Sequence, residues 1–158
     1  FVVDRSGSMT DSIMYVKYEL KRSIRTLRPN QSFYVVFYST GPAVEMPSRK
    51  LVPATEANKQ MAYEFIDSIV PIGQTDPSDA LKRAFEVGPE LIYLLTDGEF
   101  DRSIVGLIDK LNGRADKVTV NTICFISSNG EGMLQQIAQK NNGIYKYVAE
   151  DDLQSLGQ

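Results

Sequence analysis

The chain has 158 residues, 42% of them hydrophobic, and a formal net charge of −3, which is the composition of one globular domain. This negative charge gives no reason to expect nucleic acid or an anionic membrane as a partner, and no apolar run approaches the roughly 18 to 20 residues of a membrane span. The absence of histidine excludes Ser-His-Asp and Cys-His nucleophile pairs and every histidine-based zinc site.

The amino-terminal part of the chain contains two apolar strands separated by an amphipathic helix. Residues 1–3 predict the end of a first strand and residues 33–38 a second strand. Because a first strand of this length is unusually short, we expect the chain to be an excerpt of a longer protein. The helix is predicted by apolar residues at steps of three and four, which are Ile13, Val16, Leu20, Ile24 and Leu27. Residues 43–46, which prolines bracket, predict a short edge strand.

The middle of the chain predicts two further helices and a central strand. Residues 56–69 have helical periodicity, with Thr55 as the amino-terminal cap. The next helix follows Asp76-Pro77, where the aspartate can cap and the proline suits the first turn, and it ends before Gly88-Pro89. Residues 91–95 form a continuous apolar run, as expected for a strand in the middle of a parallel sheet.

The carboxyl-terminal part repeats the same alternation. We predict a helix at residues 103–111, a strand at 118–125, a helix at 131–140 and a last strand at 144–148. Residues 149–158 are interpreted as a short tail, open to a helical conformation.

Alternation of apolar strands with helices is typical of a parallel sheet covered on both faces. No linker or internal repeat interrupts it. We therefore predict one α/β domain over residues 1–158, with a doubly wound, mostly parallel six-stranded sheet and helices on both faces, a Rossmann-like architecture. The single cysteine, Cys124, rules out an internal disulfide and is interpreted as a buried small apolar residue.

Three segments rich in side-chain oxygen lie where a strand gives way to a loop or a loop opens a helix: Asp4-Arg5-Ser6-Gly7-Ser8, Gly73-Gln74-Thr75-Asp76 and Thr96-Asp97-Gly98. In open α/β sheets, ligands bind beyond the carboxyl ends of the strands, at the point where the strand order reverses. If the first strand and residues 91–95 flank that point, Asp4 and Asp97 lie side by side.

The residue types in these segments suit a hard cation. Ser6 and Ser8 are two residues apart, so an extended loop can point both hydroxyls to one side, and Gly7 lets the backbone turn tightly between them. Carboxylates and hydroxyls offer only oxygen, and Mg²⁺ takes six oxygen ligands while keeping several waters. Neutral hydroxyls leave the ion electrophilic, so that it favours an anionic ligand at an open position.

Each piece also has a purely structural interpretation. Ser8 with Asp11 matches a helix capping box, Asp97-Gly98 matches a tight turn, and Asp4, Thr75 or Asp76 could each cap a helix. Three such caps need not converge on one face of the sheet. Convergence of the three segments at one edge of the sheet would therefore favour a metal site over three separate helix caps.

The same segments carry a family resemblance. FVVDRSGSM resembles the first strand and D-x-S-x-S loop of von Willebrand factor type A domains. GQTDP and LLTDGEF resemble the later threonine and T-D-G elements of the metal ion-dependent adhesion site in that family. The order and gaps match across nearly all of the chain, which makes the match far more specific than a lone motif.

The resemblance implies a fold, a metal and a partner. It implies direct metal ligation by Ser6, Ser8 and Thr75, with Asp4 and Asp97 acting directly or through waters. The ion would be Mg²⁺, or else Mn²⁺ or Ca²⁺, and a glutamate or aspartate of a protein partner would complete its shell. Glu99 and Asp76, which lie beside the motif, are interpreted as rim residues rather than ligands.

The implied function is a metal-dependent protein-binding module, for adhesion or another interaction, with no catalytic residues and no membrane insertion of its own. The main alternative is a Mg²⁺-dependent phosphoryl-transfer or phosphohydrolase enzyme, because serine hydroxyls beside a helix start can also hold phosphate. Against it, the chain has no G-x-x-x-x-G-K-[ST] loop, and Ser6 stands where a second aspartate would act as general acid. A metal-free scaffold is the third possibility, and oxygen ligands at all five positions argue against it.

Overall fold

In the computed structural model, which describes residues 1–98, 100–113 and 117–149, the main sheet has six strands in the order β4-β3-β1-β6-β7-β8. These strands are β1 (Val2–Asp4), β3 (Val36–Tyr38), β4 (Val44–Glu45), β6 (Leu91–Thr96), β7 (Thr119–Phe125) and β8 (Tyr145–Val148). Every pairing is parallel except that of β3 with the edge strand β4. The predicted α/β class, the mostly parallel sheet and the central place of residues 91–95 are therefore confirmed.

Five α-helices connect and cover the strands of the described part of the chain: α1 (Ile13–Thr26), α2 (Glu56–Ser68), α3 (Ser78–Glu86), α4 (Ser103–Leu111) and α5 (Glu131–Lys140). Helix α1 packs against α2, while α3, α4 and α5 pack in series. The Thr55 hydroxyl caps α2 by accepting a hydrogen bond from Asn58 N, and Asp76 Oδ1 accepts from Ser78 N at the start of α3. The predicted Thr55 cap is confirmed, whereas the amino-terminal cap position of α3 is Pro77, with Asp76 one residue before it. None of the helices described here combines the length and apolar character needed to cross a membrane.

The prediction of one continuous strand at residues 33–38 is wrong. The segment is divided between β3 in the main sheet and β2 (Ser32–Phe33), which pairs antiparallel with β5 (Val52–Pro53) in a separate two-stranded sheet. Between them, the Val35 amide donates to the Met46 sulfur at 3.1 Å instead of to a neighbouring strand. The Met46 side chain therefore accepts the hydrogen bond from a backbone amide that would pair with a neighbouring strand if β2 and β3 were continuous.

Strand β7 and the end of α5 approach each other at Gly143. Its amide donates to Ala138 O at 2.8 Å, and a Cβ at this position would lie 1.9 Å from Val120 O. Only glycine fits this approach without a backbone shift. Cys124, also in β7, is fully buried as predicted. The predicted tail lies outside the described residues beyond residue 149.

The sheet order places the two predicted site strands side by side. Strand β1 pairs with β6 in a register that opposes Val2 to Leu94 and Val3 to Leu95. Strand β1 also pairs with β3 on its other side, so the order of the strands along the chain reverses here. The residues that follow β1 and β6 therefore leave the sheet together, at its carboxyl edge.

Candidate metal centre

Asp4, the last residue of β1, is fully buried and held on both of its carboxylate oxygens. Oδ1 accepts a hydrogen bond from the Ser6 amide at 2.7 Å. Oδ2 accepts from the Thr96 hydroxyl at 2.8 Å and from the Tyr38 hydroxyl at 3.4 Å. Neighbouring strands on both sides thus fix the orientation of this carboxylate at the edge of the sheet.

The loop that follows β1, residues 5–8 and here called the serine loop, brings its two hydroxyls together. The Ser6 and Ser8 Oγ atoms lie 3.0 Å apart, as predicted, although Ser6 is buried and Ser8 exposed. The predicted extended loop is wrong, because Ser6 is extended but Gly7–Asp11 form a short 3-10 helix. A helical turn, rather than the alternation of a strand, therefore sets the distance between the hydroxyls.

Asp97, which follows β6, is joined to the serine loop. The Ser8 hydroxyl donates to Asp97 Oδ1 at 3.0 Å. Neither the 3-10 helix nor α1 is capped by a side-chain hydrogen bond at its amino terminus. The capping interpretation of Ser8 and Asp11 is therefore not supported, and a continuous chain of contacts runs from Asp4 through Ser6 and Ser8 to Asp97.

Thr75 lies in the segment between α2 and α3, residues 69–77, here called the threonine loop. This loop is bonded to the serine loop through the Gly7 amide, which donates to Gly73 O at 2.9 Å, and through Ile72 N, which donates to Arg5 O at 2.8 Å. The Thr75 side chain is half-buried, and among the described residues no hydrogen bond joins its hydroxyl to the other four candidate ligands. The structure therefore places Thr75 on a loop docked against the site, with its hydroxyl not engaged there.

Two acidic residues, Asp76 and Glu99, flank the predicted ligands in the sequence. Asp76 is exposed and its Oδ1 accepts a hydrogen bond from Ser78 N, and its interpretation as a rim residue stays a prediction. Glu99 lies outside the described residues.

Burial dominates the electrostatics of the site. It raises the pKa of Asp4 and of Asp97, and the hydrogen bonds from Ser6 and from Ser8 oppose that rise. The negative charge of Asp97 further raises the Asp4 pKa. Among the described residues no lysine or arginine forms an ion pair with either carboxyl group. A bound dication would supply the missing positive charge.

The donor set determines which metals fit. No cluster of three or more carboxylate or thiol side chains gathers at one place in the described ranges, so a cation here would depend on hydroxyls as well as on Asp4 and Asp97. An oxygen-only set with few charges matches Mg²⁺ and other hard cations, which retain waters in their shell. The residues present therefore fit such an ion.

Sequence reasoning missed two residues that hold Asp4. Thr96 stands out in the sequence only as the first letter of the T-D-G element, and Tyr38 only as the end of a strand. Tyr38 lies directly opposite Asp4 in the register of β1 and β3. Tyr38 could have been identified as the last residue of the strand next to Asp4. That identification needs the order of the strands in the sheet, which the sequence does not give directly.

Comparisons with known proteins agree with this architecture. A family model described as the von Willebrand factor type A domain matches residues 1–147. The inter-alpha-trypsin inhibitor heavy chain H1 of Mesocricetus auratus is 29% identical over 170 residues, which cover 96% of this chain and 18% of that protein. Heavy chain H4 of Homo sapiens is 28% identical over 177 residues, covering 99% and 18%. The chain thus spans less than a fifth of these relatives.

Two solved structures share the fold. A von Willebrand factor type A protein from Catenulispora acidiphila superposes with a TM-score of 0.81 at 22% identity, covering 98% of this chain and 40% of that one. Proximal thread matrix protein 1 of the mussel byssus, in a structure described as having a zinc-occupied MIDAS motif, gives a TM-score of 0.76 at 23% identity, covering 99% and 42%.

Proposed function

Because this chain belongs to the von Willebrand factor type A family, we propose that it is a protein-interaction module. In this proposal it binds one divalent cation at the carboxyl edge of its sheet, and the cation engages a carboxylate of a protein partner. The single observation that carries the proposal is the chain of contacts from Asp4 to Ser6, Ser8 and Asp97. Side chains at the ends of two separate strands, β1 and β6, are linked there through oxygen atoms, and no lysine or arginine of the described residues pairs with their carboxylates.

The five candidate ligands have distinct roles in this proposal. The hydroxyls of Ser6, Ser8 and Thr75 would contact the ion directly, and Asp4 and Asp97 would act directly or through waters. The ion, Mg²⁺ or else Mn²⁺ or Ca²⁺, would supply an electrophilic position open to an anion. Two carboxylates balance the charge of a dication without exceeding it, so an additional carboxylate from outside is not repelled. A zinc-occupied site in the mussel protein supports divalent binding in this fold without identifying the ion here.

The surface beside the serine loop supports a protein partner over a small anion. Of the seven exposed large apolar side chains in the described part of the chain, four lie on α1 and the threonine loop: Met14, Tyr18, Val70 and Ile72, with exposures of 73%, 50%, 62% and 56%. The Ile72 amide donates a hydrogen bond to Arg5 O, which places Ile72 next to the serine loop. Exposed apolar side chains beside a site are a feature of protein-interaction surfaces, and Met14 and Tyr18 are one helical turn apart on α1.

A phosphohydrolase would also need a hard cation, so the two functions must be separated by activity. We expect no Mg²⁺-dependent hydrolysis of p-nitrophenyl phosphate or p-nitrophenyl acetate. The chain has no histidine, and Ser6 stands where the enzyme would need an aspartate as general acid. Turnover that requires Mg²⁺ and is lost in Asp4→Ala would favour the enzyme.

The proposed binding mode can be tested with Mn²⁺ as a paramagnetic probe. Mn²⁺ bound at this site should enhance the relaxation of water protons, because waters in its shell exchange with bulk solvent. A short glutamate-containing peptide should lower that enhancement by displacing a water, whereas the same peptide with glutamine should not. Equal effects of the two peptides would contradict recognition of a carboxylate by the metal.

A further inference from the structure

Two lysines are buried where α1 packs against α2. Lys17 of α1 is 8% exposed and Lys59 of α2 is 6% exposed, although lysine is rarely buried without partners. Each ammonium group reaches the carboxyl-terminal end of the opposite helix. Lys17 Nζ donates to Asp67 O at 3.0 Å and to Ile69 O at 2.5 Å, and Lys59 Nζ donates to Arg25 O at 3.0 Å. The carbonyls that end a helix carry partial negative charge, which suits a cation.

The two lysines hold helix ends that lead into different segments of the chain. Arg25 lies near the end of α1, which leads to β2. Ile69 lies immediately after α2, at the start of the threonine loop. Lys17 therefore ties that loop to α1, the helix that directly follows the 3-10 turn of the serine loop.

Further contacts continue from the same point. Arg5 Nη1 donates to Val70 O at 3.4 Å, and the Arg5 carbonyl accepts from Ile72 N. The Gly7 amide then donates to Gly73 O, two residues before Thr75. The course of the threonine loop is thus set by backbone contacts to the serine loop and, at its beginning, by the buried ammonium of Lys17.

We propose that Lys17 is a positioning residue for the metal centre: by holding Ile69 O against α1, it sets where Thr75 lies relative to Ser6 and Ser8. This inference rests on the proposed function, because it assigns Lys17 a role in metal affinity and not only in stability. Lys59 makes the same kind of contact at the other end of the helix pair, and in the described part of the chain its ammonium group contacts Arg25 O and Glu56 rather than the threonine loop. It is therefore the matched control.

The test compares Lys17→Met with Lys59→Met, using Mn²⁺ alone as the ligand and calorimetry at a temperature where both variants are folded. Both changes leave helix-end carbonyls without their buried partner, so both should lower the melting temperature. Only Lys17→Met should weaken Mn²⁺ binding, by about tenfold, the lower end of the usual effect of residues that orient metal ligands. Lys17→Arg, which keeps a cationic donor, should recover most of the affinity.

Equal Mn²⁺ affinities of Lys17→Met and Lys59→Met, alongside a wild type that binds Mn²⁺, would overturn the positioning role and leave the proposed function intact. A wild type that does not bind Mn²⁺ would overturn both. If Lys17→Met does not fold, the wild type itself provides the test by NMR. Mg²⁺ should then shift the side-chain carbon resonances of Lys17 and leave those of Lys59 unchanged, and unchanged resonances for both lysines would overturn the proposal.

Discussion

Gly73→Ala should weaken metal binding as well as lower the stability of the fold. Gly73 has φ +77°, and an alanine in this left-handed conformation costs about 1–2 kcal/mol, or roughly 2–8 °C in melting temperature for a domain of this size. The new Cβ would also lie 3.1 Å from Thr40 Oγ1 and 3.3 Å from Thr40 N. Thr40 Oγ1 cannot turn away freely, because it accepts a hydrogen bond from Gln74 N at 2.7 Å. Because Thr40 is held in this way, we expect the Gly73 backbone to take up the shift of a few tenths of an ångström and to move Thr75 with it.

Gly88→Ala is the matched control for this prediction. Gly88 has φ +70°, but a Cβ there meets no atom within 4 Å, and the residue lies before β6, at the opposite edge of the sheet from the site. Both variants should lose similar stability by thermal unfolding in EDTA. In Mn²⁺ titrations, Gly73→Ala should bind about tenfold more weakly than Gly88→Ala. Equal Mn²⁺ affinities of Gly73→Ala and Gly88→Ala would show that the conformation of Gly73 does not determine the position of the threonine loop at the metal centre.

The contacts of three other residues each predict a measurable outcome. Gly143→Ala should lower the free energy of unfolding in urea by about 4 kcal/mol or more, because its Cβ would collide with the Val120 backbone, which cannot rotate away; a loss below about 1 kcal/mol would contradict this. Cys124 should not react with a thiol reagent near neutral pH until the protein unfolds, since burial raises its pKa to about 11; rapid labelling of native protein would contradict this. Burial also raises the folded-state pKa of Asp97 above its ordinary 3.8, so ionisation of this carboxyl removes stability as pH rises through the raised pKa. In EDTA, Asp97→Asn should therefore gain stability relative to wild type as pH rises from about 4 through the raised pKa, and a pH-independent difference would contradict this.

Helices and the central strand could be predicted from the sequence because their signals are local. The helix at residues 131–140 and the helix at 103–111 match α5 and α4, since each has a clear apolar period and a defined end. Strands β2 and β5 could not be predicted, because two-residue strands are too short to show alternation and β5 contains a proline. The break between β2 and β3 depends on the Met46 sulfur, a contact that no local pattern indicates.

The candidate site was predictable to the extent that topology determines it. Once the first strand and residues 91–95 are neighbours, Asp4 and Asp97 must leave the same edge of the sheet, and the structure brings both together with Ser6 and Ser8. The 3-10 turn and the Tyr38 contact to Asp4 depend on packing and on strand register. The role of Asp4, Ser6, Ser8, Thr75 and Asp97 as metal ligands stays a prediction.

The central claim, a divalent cation held by these five residues, is tested most directly by the difference in melting temperature between Mg²⁺ and EDTA for wild type and Asp97→Ala. An ion bound only to the folded state, at a hundredfold excess over its Kd, stabilises by about 2.7 kcal/mol, or roughly 5–11 °C for a domain of this size. Each protein is its own reference, because Asp97→Ala also removes a half-buried negative charge that raises the Asp4 pKa, and the variant can be as stable as wild type in EDTA. We predict a clear Mg²⁺-induced rise in wild type and none in Asp97→Ala, whereas equal rises in the two proteins would show that the cation binds elsewhere.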